Sequence, residues 1–138
     1  MTRIPNLKNL LFLSSYLTNR IDYLQGAGGN ISEKIDGDVM AIKSSGIEIK
    51  EMNQKYGYSL VNYKKISDEF SKLPLEISKE QDEKTVSFIN NQITNLPNYK
   101  SSRPSIETGF HSILKKHVIH THSVYSNIVT CSNYVICT

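Results

Sequence analysis

Leu7, Leu10, Leu11 and Leu17 recur at the spacing of one helical face, with Ser14 in the same row. The pattern predicts an amphipathic helix over residues 6–19, with Asn6 at its start. Past a glycine-rich loop the period changes to two. ISEKI and DVMAIK flank Asp36-Gly37, a strong hairpin turn, and predict two paired strands. The second strand runs into the turn Ser44-Ser45-Gly46, and Ile47 and Ile49 extend briefly beyond it.

Residues 50–82 are polar and carry a weaker pattern. Residues 58–63 read as a strand and 64–71 as a short helix that Pro74 ends. Residues 85–93 fit a helix or a strand, and 97–104 are loop. Ser105 reads as an N-cap, with an apolar-periodic helix over 106–115 behind it. Val118, Ile119 and Thr121 predict a buried strand, and residues 124–131 the next helix. There is no internal repeat and no low-complexity tract. A chain of 138 residues fits one domain, here residues 1–138.

Charge narrows the choice of partners. Sixteen Lys and Arg against 13 Asp and Glu leave a net charge of +3, and the lysines are scattered. Nothing forms the basic stripe that nucleic acid requires. The apolar run over residues 10–13 is too short for a signal peptide or a membrane span, so no membrane partner is expected. Cys131 and Cys137 do not make a disulfide framework, and a reducing cytoplasm is the expected setting.

The chemistry lies in polar residues at unusual density. His120 and His122 stand two apart on a predicted strand, so both imidazoles face one side, about 7 Å apart along the strand. Neutral imidazole is a preferred zinc ligand, and catalytic zinc sites keep one position open. Taken in isolation, a pair of this kind reads as one surface histidine and one hydrogen-bonded core histidine before it reads as a metal site. Glu107 and His111 are four apart, so they share a helical face leading into that strand. Glu107 reads as a ligand or general base, or as a first-turn acid that complements the helix dipole. His111 reads as an orienting partner of a ligand, or as a satisfied core histidine. His117 has the opposite parity to His120 and points to the other face.

The stretch GAGGNISEK, residues 26–34, holds three glycines in four residues. Glycine admits positive φ and close approach, and successive N–H groups make an anion nest. Asn30 adds a side-chain donor. Ser45-Gly46 and Ser105 repeat the theme, with Arg103 close by. Neither a dinucleotide fingerprint nor a phosphate-loop lysine motif is present.

GAGGNIS, KSSG, RPSIETGFH and IHTHS, in this order and spacing, resemble the class II aldolase/adducin family. Within it, QGAGGNISEK and KSSG look most like the aldolase part of the bifunctional aldolase/short-chain dehydrogenase branch. The resemblance covers roughly residues 6–130. It implies a three-layer α/β/α fold around a mainly antiparallel sheet, and a homotetramer. It implies one zinc ion per subunit, held by His120 and His122, with Glu107 as the catalytic acid/base and His111 behind them. Gly29 and Asn30, Ser45 and Gly46, and Ser105 match the family's three phosphate grips. Ile106 stands where a second serine belongs, which turns the expected substrate toward a sugar phosphate or a related unphosphorylated sugar or acid.

The reaction so implied is aldol cleavage of a ketose phosphate through an enediolate. Epimerisation at carbon 4 on the same scaffold is the first alternative. A non-catalytic, adducin-like member is the second. The family's third zinc histidine follows the pair at a distance, and no histidine follows His122 here. The reading at this point is a domain without its last elements, about two-thirds of the usual one. It is a fragment, a truncated product or a member that completes its site otherwise, and a frameshift would explain the tail CSNYVICT.

Overall fold

A computed structural model describes residues 4–74, 76 and 78–132. Cys137 and the end of CSNYVICT lie outside the described residues. Four strands form one antiparallel sheet: β1 (Asn30–Lys34), β2 (Val39–Lys43), β3 (Tyr58–Asn62) and β4 (His117–His120), in the spatial order β3-β2-β1-β4. Five helices accompany them: α1 (Lys8–Leu17), α2 (Tyr63–Phe70), α3 (Lys79–Asn91), α4 (Thr108–Ile113) and α5 (Val124–Cys131).

The hairpin at Asp36-Gly37 forms as its sequence predicts. Gly37 takes φ +67°, and Ile35 N–H donates to the Val39 carbonyl across the turn. Alternation then sorts side chains to two faces. Ile31, Ala41, Tyr58 and Leu60 join Leu7, Leu10 and Leu17 of the α1 segment in one core. Met40, Ile42 and Val61 meet Ile66 of α2 and Ile89 of α3 in the other. Helices thus cover both faces of the sheet, the layered arrangement expected. Among the described residues no helix is long and apolar enough to cross a membrane.

Helix α1 begins later than predicted because a distant acid fixes its first turn. Glu33 on β1 is buried and accepts from the Leu10 N–H at 3.2 Å and from the Asn9 amide at 3.3 Å. A carboxylate there satisfies free N–H groups and complements the dipole. Asn6 still accepts from the Lys8 N–H, at 3.0 Å. Residues 85–91 resolve as helix, the second half of an α3 that starts earlier, at a capping box in which Ser78 and Gln81 serve each other's backbone, while Ile93 bridges to Val61. Ile49 opens a single 3-10 turn, Ile49–Glu51, rather than an extended stretch.

Two corrections fall on the segment that carries the histidines. Helix α4 is only Thr108–Ile113, not 106–115, because Leu114 turns extended and Lys116 already bonds β1. The N-cap is Glu107 rather than Ser105, whose Oγ accepts from the Glu107 N–H at 3.4 Å and whose carbonyl accepts from the Thr108 N–H at 3.1 Å. The following strand is not buried. β4 pairs only with β1, and Ile119 is 43% exposed. Its neighbour on the sheet, β1, is buried along most of its length.

Candidate metal and substrate site

The register of the β1–β4 ladder sets the site. Asn30 pairs with His120, Ser32 with Val118, and Glu33 with His117. Positions of one parity face α1, those of the other face α2 and α4. His117 therefore goes to the α1 side, where its Nε2 lies 3.1 Å from Glu33 Oε1. His120 goes to the α4 side, where its Nδ1 lies 2.9 Å from Glu107 Oε1.

Beyond His120 the strand ends, and His122 is held by other means. Its N–H donates to the Tyr23 carbonyl at 2.8 Å, and Val124 N–H to the Asp22 carbonyl at 2.9 Å. The two imidazoles remain neighbours, with ring centroids 5.0 Å apart and planes at 64°. His122 Nε2 stands 4.0 Å from the same Glu107 oxygen. Glu107 thus lies between the members of the pair, at the foot of α4.

One turn along α4, His111 is 1% exposed. Its Nδ1 lies 2.7 Å from Ser32 Oγ on β1. Its Nε2 is buried with no hydrogen-bond partner, the one such side-chain atom among the described residues. Burial pushes the imidazole down to about 4; Glu107 opposes this and His120 adds to it. The ring is neutral at pH 7, the state a metal ligand requires. Glu107, His111 and His120 each offer a ligand atom, and the three atoms lie within 4.8 Å of one another. Two imidazoles and a carboxylate are a donor set that zinc accepts. The residues present fit such a cation.

The glycine turn approaches the histidine segment directly. A Cβ on Gly29 would come within 2.3 Å of Leu24 Cδ2 and 3.0 Å of the His120 carbonyl, at φ +74°. A Cβ on Gly28 would stand 3.0 Å from His122 Nδ1. Close packing under the histidines requires glycine here before any anion does. The same turn lines a cavity of about 150 Å³ with Lys43, Ser45, Gly46, Ser105, Glu107 and His122. Gly29, Ser45, Gly46 and Ser105 are therefore brought together beside Glu107. Asn30 is not among them: it is 1% exposed and turns its Oδ1 to the Ile31 N–H. Ile106 is 71% exposed at the cavity's edge, and Arg103 is exposed, giving its carbonyl to the Ser45 N–H.

Two participants escape the motif reading. Lys43, buried at the end of β2, donates from its Nζ to the Ala27 carbonyl at 3.1 Å and the Ile47 carbonyl at 2.6 Å. It ties the first glycine turn to the second. Burial lowers its pKa, and the charges of Glu107 and Glu51 act against that. Its signal was a lysine with the inward parity of Val39 and Ala41. Ser32 is the other; it shares the parity of Asn30 and so faces α4.

The family model for the Class II Aldolase and Adducin N-terminal domain matches residues 11–136. A solved structure, the N-terminal class II aldolase domain of a conserved protein from Thermoplasma acidophilum, has the same fold. The TM-score is 0.75 at 19% identity, over 98% of this chain and 63% of that one. This chain therefore spans less than two-thirds of that chain's length. No curated protein matches its sequence.

Proposed function

The chain belongs to the class II aldolase and adducin N-terminal domain family, and from that premise we propose that it is a zinc-dependent lyase cleaving a ketose phosphate or a related hydroxy-ketone. The observation that carries this reading is the Glu107 carboxylate set between His120 and His122, at the wall of a small polar cavity. Zinc, one ion per subunit, would be held by His120 and His122 with Glu107 at hand. When bound it supplies Lewis-acid polarisation of carbonyl and hydroxyl oxygens.

The chain's own residues do the rest. Glu107 Oε1 moves the proton at the reacting carbon or oxygen, within reach of a substrate in the cavity. The turns at Gly29 and Ser45-Gly46, with Ser105, hold the anionic end and fix the reacting bond against Glu107. Lys43 keeps the two turns together from below. The exposed Ile106 adds no hydroxyl to the third grip, which favours substrates with a weakly held or absent phosphate. By family resemblance the reading includes a homotetramer, a cytoplasmic setting and a single domain.

The test is metal content per chain beside a His120→Ala/His122→Ala control, followed by assay of aldehyde release from ketose phosphates. Near-stoichiometric zinc lost in the control, with aldehyde released, supports the lyase. Metal with isomerised substrate but no aldehyde favours the epimerase. A chain that takes up no zinc is an assembly module of the adducin kind.

A further inference from the structure

His111 is buried beside the acid that would move the proton, and it bonds nothing there. Its Nδ1 lies 2.7 Å from Ser32 Oγ on β1. Its Nε2 is buried with no hydrogen-bond partner. Buried polar atoms are rarely left so, because their desolvation is then uncompensated. A ring nitrogen of His111, an oxygen of Glu107 and a nitrogen of His120 lie within 4.8 Å of one another, and the three residues line a cavity of about 460 Å³. Glu107 is held on one side only. Its Oε1 stands 2.9 Å from His120 Nδ1, and no donor among the described residues reaches Oε2.

These neighbours choose the tautomer. A neutral imidazole carries one N–H, and a hydroxyl rotates to donate or to accept. With the hydrogen on Nδ1, a bare Nε2 lone pair would be buried beside the Glu107 carboxylate, and neither would satisfy the other. With the hydrogen on Nε2, Ser32 donates to Nδ1 and the ring offers an N–H to the acid beside it. Only the second arrangement gives every atom a partner. Resting on the metal-dependent reading above, we infer that His111 is a positioning residue for Glu107, and that its Nε2–H holds the carboxylate once His120 and His122 serve the cation. The remaining distance is closed by rotation of the Glu107 side chain, which is only partly buried, or by one water, for which the cavity has room. Such bonds are often long in the free site and tighten when the complex assembles. One carboxylate oxygen fixed by His111 leaves the other to move the substrate's proton. Glu107 and His111 stand one turn apart, so Ser32, His111 and Glu107 form a line from β1 to the reacting centre.

The experiment is NMR of the imidazole nitrogens in the wild-type chain labelled with nitrogen-15, without metal and then with zinc added. The His111 ring is assigned by its contact with Ser32. In the metal-free chain the hydrogen is expected on Nε2, with Nδ1 bare and accepting from Ser32. On adding zinc, the Nε2 proton is expected to move downfield, to exchange more slowly with water and to gain a nuclear Overhauser contact with the Glu107 side chain. A His111 ring that carries its hydrogen on Nδ1 overturns the inference and leaves the metal-dependent reading standing. So does an Nε2 proton whose shift, exchange and contacts are the same with bound zinc as without it. A chain that takes up no zinc overturns the metal-dependent reading, and this role with it. A merely structural histidine would keep one spectrum in both states, and no variant has to fold for the comparison.

Discussion

Ser32 and His111 meet across 79 residues of chain, Oγ to Nδ1 at 2.7 Å, and both are buried. One hydroxyl on β1 therefore sets the ring plane of a histidine on α4. Ser32→Ala removes the partner and leaves a second unsatisfied nitrogen. A loss of about 1–3 kcal/mol in stability is expected from denaturant unfolding. Zinc titration of the same variant is expected to show weaker binding, because the ring packed behind Glu107 and His120 loses its fixed orientation.

The same ring makes stability depend on pH. His111 is held at about 4 when folded, against an ordinary 6.5. Between those values the unfolded chain takes up a proton that the folded chain refuses, so its contribution is complete above about 6.5 and is lost as pH falls toward 4. For the metal-free chain the contribution is of order 3 kcal/mol at neutral pH. Unfolding curves across pH 4–7 are expected to slope upward, and His111→Gln to flatten that part of the slope. An equal slope in both would assign the pH response to other groups.

Gly29 and Gly26 both have positive φ, but only Gly29 is crowded. Gly29→Ala must move Leu24 and press on the His120 carbonyl, so it is expected to cost about 2 kcal/mol or more and to weaken metal binding. Gly26→Ala, with nothing within 4 Å, bears only the backbone cost of about 1 kcal/mol. Parallel thermal melts and metal titrations separate the two.

Lys43→Met keeps the length of the buried stem and removes its three donors. The Ala27 and Ile47 carbonyls lose their partner, and the two turns that line the small cavity come apart. A loss of about 1–3 kcal/mol is expected, with faster hydrogen exchange confined to residues around 26–29 and 44–47. Uniform acceleration across the sheet would mean a general core defect instead.

Local signals carried much of this architecture. Asp36-Gly37 named the hairpin, and leucine spacing named α1. The Ser78/Gln81 box lies within a polar stretch of weaker pattern, and residues 85–93 by themselves fit helix and strand alike, so the spelling leaves α3 undecided. Pairing decided what spacing left open. Val118 and Ile119 spell a buried strand, yet β4 stands at the sheet's edge, because burial depends on neighbours the strand's own letters do not name. Glu107, His120 and His122 were legible as a set, since motif spacing brings them together. Lys43 was not, because lysine reads as solvent-facing until its parity on β2 is counted. Asn30 reads as a substrate grip, and its Oδ1 is turned to the Ile31 N–H of its own strand.

The pairing of Asn30 with His120 has a consequence for how the chain tolerates change. Side chains on a ladder alternate, so sliding β4 by one residue would send His120 to α1 and bring Ile119 to Glu107. Nothing in the edge strand's apolar content forbids that slip, for Val118 and Ile119 are both partly exposed. The guard is Glu33, which takes His117 on one side as Glu107 takes His120 on the other. Two acids on opposite faces act as a latch on alignment, and an imidazole of no chemical use keeps the useful one in its place.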